Sequence, residues 1–210
     1  MSFKLHDVYY FQNSGEDNSE LVVEAVTKAV ERGGIRDVVV SSTSGKTALT
    51  FARALKDEAR IICVSESAFR SEWGWEYPCM DEKNKEELEA MGVIVLDKVP
   101  YLLHGSIYES SKYSVPVPEI TFRETLYAFG QGMKVAVEVV LTAVACGVLE
   151  PYKYVIGVGG SGKGADTAII LRSTFPATVF AREKEKRLEI REILAMPLEK
   201  EWGEKIQTFP

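Results

Sequence analysis

The sequence predicts an α/β fold in which a mostly parallel sheet is covered by helices on both faces. Short apolar runs alternate with segments of helical periodicity along the chain. The runs at 38–41, 60–65 and 93–96 are largely continuous in apolar residues, which is typical of strands buried on both faces. Strands that alternate with helices form a parallel sheet, and 210 residues suit one such domain, spanning 1–210.

Apolar, β-branched runs between turn residues predict six strands. These strands span residues 8–11, 38–41, 60–65, 93–96, 154–158 and 177–181. Apolar positions at helical spacing predict helices between them. These helices span residues 21–30, 48–56, 81–91, 121–144 and 183–194. Residues 165–171 fit either a short helix or a strand.

An irregular excursion at about 98–120 interrupts the alternation. It contains Pro100, Pro116 and Pro118 and shows no clear period. A run of about 20 residues without secondary structure is uncommon inside a compact domain and is often functional. The sequence assigns this segment no specific role.

The helix after the excursion is predicted to break at 130–132, where two glycines flank Gln131. Its second half is apolar nearly all round, which indicates deep burial. Lys134 and Glu138 lie four residues apart on one face of it, so we expect them to form an ion pair. A catalytic role for this pair is the alternative.

Composition argues against several classes of function. The net charge is −6 and the pI about 5.2, whereas nucleic acids and anionic membranes call for a basic face. Three dispersed cysteines, two histidines and the lack of a CxxC motif argue against a metal site. The longest apolar stretch is too short to span a bilayer, and no signal peptide is recognisable. We therefore expect a cytoplasmic protein without a nucleic-acid, membrane or metal partner.

The turn between strand 38–41 and the next helix is the first candidate site. Free amides at a helix start, together with the helix dipole, attract anions, so this turn is predicted to hold a phosphate. Its candidate residues are Ser42, Thr43, Ser44, Gly45, Lys46 and Thr47. Gly45–Thr47 matches the end of a Walker A motif, but Val40 occupies the position of the first glycine. An ordinary helix N-cap without a ligand is the alternative.

The glycine-rich loop after strand 154–158 is the second candidate site. Its candidate residues are Gly159, Gly160, Ser161, Gly162, Gly164, Asp166 and Thr167. Gly164 stands where a Walker A motif needs Ser or Thr for magnesium. Asp166 is suited either to ligand hydroxyls or to capping with Thr167. A glycine turn without a ligand is again the alternative, and Lys46 and Lys163 either add phosphate charge or are simply solvated.

The same loop matches a dinucleotide fingerprint through Gly157, Gly159 and Gly162, with Glu183 as a ribose-binding acid. Both loops follow buried strands. If the strand order reverses between those strands, the loops lie side by side at the carboxyl edge, where open α/β sheets bind ligands. The pattern therefore favours one phosphorylated ligand shared by the two loops.

Three stretches also resemble a known family. The turn VVVSSTSGKTA at 38–48 resembles the phosphate-binding turn in the C-terminal α/β domain of pyruvate kinases. The stretches FGQGMKVAVE at 129–138 and GKGADTA at 162–168 resemble stand-alone archaeal proteins of the same superfamily. The resemblance implies a three-layer α/β/α sandwich with sheet order 3-2-1-4-5 and an antiparallel last strand.

The resemblance also implies a function. Stand-alone members are similar to proteins that hold flavin mononucleotide (FMN), with no established reaction. Residues 65–69, SESAF, lack the histidines that the family usually carries there. The catalytic barrel of pyruvate kinase is absent, so its activity is not implied, and catalytic residues stay unknown.

The leading hypothesis is an FMN-binding protein or a flavin-dependent oxidoreductase. A non-catalytic sugar-phosphate sensor and a nicotinamide-dinucleotide-dependent oxidoreductase are the alternatives. The aromatic loop at 69–77 supplies rings that can stack on an isoalloxazine. Alternatively, Trp73 and Trp75 cover the core or an interface in a homo-oligomer.

Overall fold

The computed structural model describes residues 5–104, 107, 111–112 and 117–200. Within these residues the strands are β1 (Tyr9–Phe11), β2 (Asp37–Ser41), β3 (Arg60–Val64), β4 (Ile94–Leu96), β5 (Tyr154–Gly159), β6 (Thr167–Arg172) and β7 (Ile190–Pro197). The α-helices are α1 (Ser19–Glu31), α2 (Lys46–Leu55), α3 (Glu82–Ala90), α4 (Pro118–Tyr127) and α5 (Gln131–Ala145). Short 3-10 turns span Glu16–Asn18, Ala68–Trp73, Pro176–Thr178 and Lys184–Lys186.

All seven described strands join one sheet in the order β1-β7-β6-β5-β2-β3-β4. Strand β2 pairs in parallel with β3 on one side and with β5 on the other. Strand β6 is antiparallel to both β5 and β7, and β1 is parallel to β7. The predicted α/β class with a mostly parallel sheet is therefore confirmed.

The expected order 3-2-1-4-5 with an antiparallel last strand differs from the order in the structure. The sheet has two further strands, β7 and β1, beyond β6. The reversed strand, β6, is therefore internal and not the last one. The expectation missed β7 because its charged beginning, IRE at 190–192, has no alternating apolar pattern. Pairing with both β1 and β6 makes this segment a strand, so tertiary contacts outweigh local pattern here.

Both faces of the sheet are covered. Alternate residues of β2 point to opposite sides, so Val38 and Val40 join one apolar cluster while Val39 joins the other. The first cluster contains residues of α1, α2 and α3, and the second contains most of α5. This double coverage explains why the three central residues of β2, Val38, Val39 and Val40, form a continuous apolar run.

Two predicted elements near the end of the chain are wrong. The strand predicted at 177–181 is instead a 3-10 turn at Pro176–Thr178 followed by a turn. The helix predicted at 183–194 is a short 3-10 turn and then β7. Residues 165–171, left open between helix and strand, mostly belong to β6.

The predicted break in the long helix is confirmed. Gly130 has φ of 103° and precedes the first residue of α5, while α4 ends at Tyr127. Left-handed backbone of this kind suits glycine, so the glycine permits the bend. The irregular excursion at 98–120 lies partly outside the described residues, and α4 already begins at Pro118.

Candidate functional site

The two predicted loops leave from neighbouring strands at the same edge of the sheet. Val40 of β2 is paired with Val158 of β5, and Ser41 is paired with Val64 of β3. Strand order therefore reverses at β2, with β3 on one side and β5 on the other. In open α/β sheets this switch point forms a crevice that binds ligands. The sequence-based condition for bringing the two loops together is met.

The turn after β2 has the geometry of an anion-binding helix start. Gly45 adopts φ of 89° and precedes the first residue of α2. The Ser42 hydroxyl is buried and accepts a hydrogen bond from the Ala48 amide at 3.1 Å. The backbone N–H groups of Lys46 and Thr47 donate no hydrogen bond to any of the described residues. These two donors are available to an anion at the positive end of the helix dipole.

Neighbouring elements brace this turn from both sides. The Ser65 hydroxyl at the end of β3 donates to the Thr43 carbonyl at 2.6 Å. The Asn84 side chain of α3 donates to the Ser44 carbonyl at 2.8 Å. A Cβ on Gly45 would lie 2.9 Å from the Asn84 Cβ, so this position is packed closely as well as left-handed. The turn is therefore held in its shape by the protein itself.

The glycine loop after β5 packs closely against the start of α5. A Cβ at Gly159 would lie 2.2 Å from the Gly132 carbonyl oxygen, and one at Gly160 would lie 2.3 Å from the Gly164 carbonyl oxygen. Backbone atoms occupy both places, so only glycine fits. The Gly159 contact brings the N-terminus of α5 to the carboxyl edge of β5, whereas the Gly160 contact lies within the loop. Gly162, by contrast, is exposed and has open space around it.

Asp166 is bound by its own chain. Its Oδ2 accepts the amides of Gly15 at 3.1 Å and Ser161 at 2.9 Å, and its Oδ1 accepts the Thr167 hydroxyl at 2.8 Å. Both Asp166 and Thr167 are buried. Of the two roles suggested by the sequence, the contacts correspond to the local one with Thr167. Asp166 fixes the loop to the segment before α1.

The predicted dinucleotide fingerprint lacks its helix. The loop at 160–166 leads directly into strand β6 rather than into a helix start. A pyrophosphate site of this type needs helix amides after the glycines. Glu183 is exposed and forms an ion pair with Lys186 at 3.2 Å. The match in spacing is therefore coincidental in structural terms.

The aromatic rings predicted after β3 form a cluster. The Trp73 ring is stacked on Tyr101, with centroids 5.5 Å apart, and meets Phe69 and His104 edge-on at 5.5 and 5.7 Å. The Trp75 ring instead lies over the Arg70 guanidinium at 4.5 Å and is 56% exposed. Trp73 therefore packs within the protein while Trp75 faces solvent.

Glu66 connects this cluster to the turn after β2. Its Oε1 accepts the Thr43 hydroxyl at 2.9 Å and the Arg70 guanidinium at 2.6 Å, and its Oε2 accepts the Tyr101 hydroxyl at 2.5 Å. Burial and the nearby Glu66 carboxylate raise the pKa of Tyr101 above its ordinary range. The phenol therefore stays protonated and remains a donor to Glu66.

A buried ionic group lies behind the aromatic cluster. Lys134 and Glu138 form the predicted ion pair on α5, and both are at least nine-tenths buried. The Oε1 of Glu138 also accepts the amides of Leu102 at 3.1 Å and Leu103 at 2.8 Å. Burial raises the pKa of Glu138, but the Lys134 charge and hydrogen bond outweigh it, so the net shift is downward. This carboxylate ties the described part of the excursion to α5.

Two further groups near the site were not found from the sequence. Glu66 follows β3 in a stretch noted only for lacking histidine. Lys200 lies beside the start of α5, since its Cδ would be 3.4 Å from a Cβ on Gly130. Burial lowers the pKa of Lys200, while the Asp166 charge opposes this shift. No sequence signal places a lysine that follows β7 next to Gly130, which lies far earlier in the chain.

The cations that the sequence did suggest are solvated. Lys46 and Lys163 are both exposed. Two surface concavities lie away from the predicted loops. One, of about 340 Å³, includes Arg36 and Arg60 at the opposite edge of the sheet. The other, of about 630 Å³, includes Lys28 of α1. Neither contains a residue predicted for the site.

Comparison of the chain with models of known protein families gives no match. In the part of the chain that the structure describes, no helix has the length and apolar character needed to cross a membrane. The same residues contain no group of three or more His, Cys, Asp or Glu side chains arranged to hold a metal ion.

Proposed function

We propose that the protein binds a phosphorylated small molecule at the carboxyl edge of its sheet, and that the ligand is FMN. The observation that carries the proposal is the pair of amides, Lys46 and Thr47, without an acceptor among the described residues. They begin a ten-residue helix directly beside the point where strand order reverses. This combination is a common phosphate site in α/β proteins.

The charge distribution supports an anion at this turn. The chain as a whole carries −6, so a phosphate gains nothing from overall attraction. Local donors must hold it instead, and preformed backbone amides do so without moving. Gly45 lets the backbone turn tightly enough to present both amides, and Ser42 fixes the next one at Ala48. Lys200, whose side chain lies near Gly130 and Asp166, would add positive charge on the α5 side.

The aromatic cluster favours FMN over a ligand without a ring system. Trp73 and Tyr101 are joined to the turn by Glu66, so flat apolar surface lies next to the proposed phosphate position. An isoalloxazine is a large flat ring system that stacks well on such side chains. When bound, the flavin would supply redox chemistry, and the protein would hold its phosphate and orient its ring.

The proposal is tested by comparing FMN with riboflavin, which has the same ring system and no phosphate. A freshly purified sample is first checked for flavin by its visible absorption spectrum, and then titrated with each compound. Two charge-assisted hydrogen bonds are worth about 1.5 kcal/mol or more each, so FMN should bind on the order of 100-fold more tightly.

Equal affinity for FMN and riboflavin would show that the turn does not hold the phosphate. Absence of binding by both would refute the flavin assignment. Thermal stabilisation by sugar phosphates without any by flavins would point to the sensor function instead.

A further inference from the structure

Two buried donors in the segment after β3 have no acceptor among the residues that the structure describes. The Nε of Arg70 and the indole Nε1 of Trp73 are both inaccessible to solvent and make no hydrogen bond to the described part of the chain. A buried donor without a partner costs the free energy of its lost hydration, so such atoms are rare in native proteins. Two of them three residues apart call for an acceptor that the described residues do not supply.

These donors lie next to the proposed phosphate turn. Arg70 and Thr43 donate to the same oxygen of Glu66, so only one carboxylate oxygen separates the guanidinium from the turn. Trp73 is stacked on Tyr101, which donates to the other Glu66 oxygen. The two unpaired donors therefore lie on the β3 side of the turn, within one connected group of side chains.

We propose that Arg70 and Trp73 bind the ring end of the ligand whose phosphate the turn after β2 holds. This inference rests on the proposed function. The ligand class is a phosphorylated planar heterocycle that presents carbonyl or ring-nitrogen acceptors along one edge. An isoalloxazine has such an edge, and a sugar phosphate offers no flat ring to stack beside it.

Trp75 marks the route by which the ring enters. Its ring lies 4.5 Å from the Arg70 guanidinium and is 56% exposed. It follows Gly74, which has a left-handed backbone, at the end of the 3-10 turn. A flat ligand that displaces the Trp75 ring reaches the Arg70 side chain, and its acceptor edge, rather than its face, binds the Arg70 Nε and Trp73 Nε1 donors. Trp75 thus covers the subsite until a ligand displaces it.

The test uses FMN and riboflavin with three test variants and one control variant of the full chain. Trp73→Phe removes the indole donor and keeps an aromatic ring. Arg70→Lys keeps a cation for Glu66 and removes the Nε donor. Each of these two variants should weaken the binding of FMN and of riboflavin by the same factor, because the two compounds share the same ring end. For loss of the neutral indole donor the expected factor is about three- to tenfold. Trp75→Ala should bind at least as tightly as the wild type. Tyr10→Phe, on β1 far from β3, is the matched control.

The outcomes separate this inference from the proposed function. A preference for FMN over riboflavin, with equal losses for both in Trp73→Phe and Arg70→Lys, supports it. Wild-type affinity in both variants, with the FMN preference intact, overturns the ring assignment and leaves the phosphate site standing. A loss of flavin affinity in Trp75→Ala as large as that in Trp73→Phe also overturns it. Flavin binding would then depend on the conformation of the whole loop rather than on the two donors. Absence of flavin binding by the wild type removes both proposals. Circular dichroism of each variant checks that it is folded.

Discussion

Replacing Gly45 with alanine tests the phosphate turn at its most constrained point. Gly45 has φ of 89°, a conformation that costs a residue with a Cβ about 1–2 kcal/mol. The new Cβ would also lie 2.9 Å from the Asn84 Cβ and 3.1 Å from the Met80 sulfur. Crowding of this kind costs about 1–3 kcal/mol. The two effects together predict a loss of about 2–5 kcal/mol in the free energy of unfolding.

Gly34 provides a matched control for the backbone part of this cost. It has the same φ of 89°, but nothing lies within 4 Å of its Cβ position. Gly34→Ala should therefore lose only the backbone part, about 1–2 kcal/mol. The difference between the two variants measures the crowding against Asn84 and Met80.

Urea unfolding followed by far-ultraviolet circular dichroism gives the free energies of unfolding for both variants. Thermal melting is an independent check, since 1 kcal/mol corresponds to about 2–4 °C in a domain of this size. The same samples are titrated with FMN, and only Gly45→Ala should weaken FMN binding. Equal destabilisation by the two substitutions would show that α3 shifts away from the new methyl group, so that crowding adds no further cost. Unchanged stability of Gly45→Ala would refute the interpretation of the turn as tightly constrained.

Three further substitutions test other parts of the site. Asp166→Asn should lower the free energy of unfolding in urea by about 1–3 kcal/mol. The reason is that the NH₂ group of asparagine would replace a carboxylate oxygen and point at a hydrogen-bond donor. The lowered pKa of Glu138 adds stability above its ordinary pKa of 4.5, which is lost as the pH falls below it. The free energy of unfolding is measured between about pH 3 and pH 7, a range that spans the ordinary pKa of a glutamate. It should depend less on pH in Glu138→Gln than in the wild type. Lys200→Met should weaken FMN binding severalfold in a titration, whereas exposed Lys163→Met should leave it unchanged.

Each of these expectations has a result that contradicts it. Wild-type stability of Asp166→Asn would mean that the loop does not depend on the three donors. An unchanged pH dependence in Glu138→Gln would mean that other groups cause the acid sensitivity. Equal effects of Lys163→Met and Lys200→Met on FMN binding would indicate a general charge effect rather than a specific neighbour.

The fold class was predictable because its signal is local. Continuous apolar runs such as 38–41 can be recognised without knowledge of their partners, and a sheet covered on both faces requires them. Strand β7 was missed because its pairing with β1 and β6 joins residues far apart in the chain. The helix predicted there followed from charged residues that lie in the 3-10 turn at Lys184–Lys186 and at the exposed start of β7.

The candidate loops were also predictable from a local sequence signal, whereas the residues that lie against them from elsewhere in the chain were not. The turn at 42–47 is a short, recognisable pattern after a strand. Glu66 and Lys200 lie near the candidate loops only because β3 lies beside β2 and because the residues after β7 return to the start of α5. Neither residue belongs to a spacing pattern, so only the folded chain reveals them.

A glycine in a loop of this kind is needed either because its Cβ position is occupied by neighbouring atoms or because its φ is positive. A motif search does not distinguish these two reasons. Gly157 and Gly159 are required because the backbone oxygens of Ala136 and Gly132 in α5 occupy the place of their Cβ. Gly162 has no such neighbour and lies exposed with φ of 124°. The match to a nucleotide motif therefore arises mainly from the close packing of α5 on β5. That packing places the start of α5 at the carboxyl edge of β5, so the structural role of these glycines is to position α5.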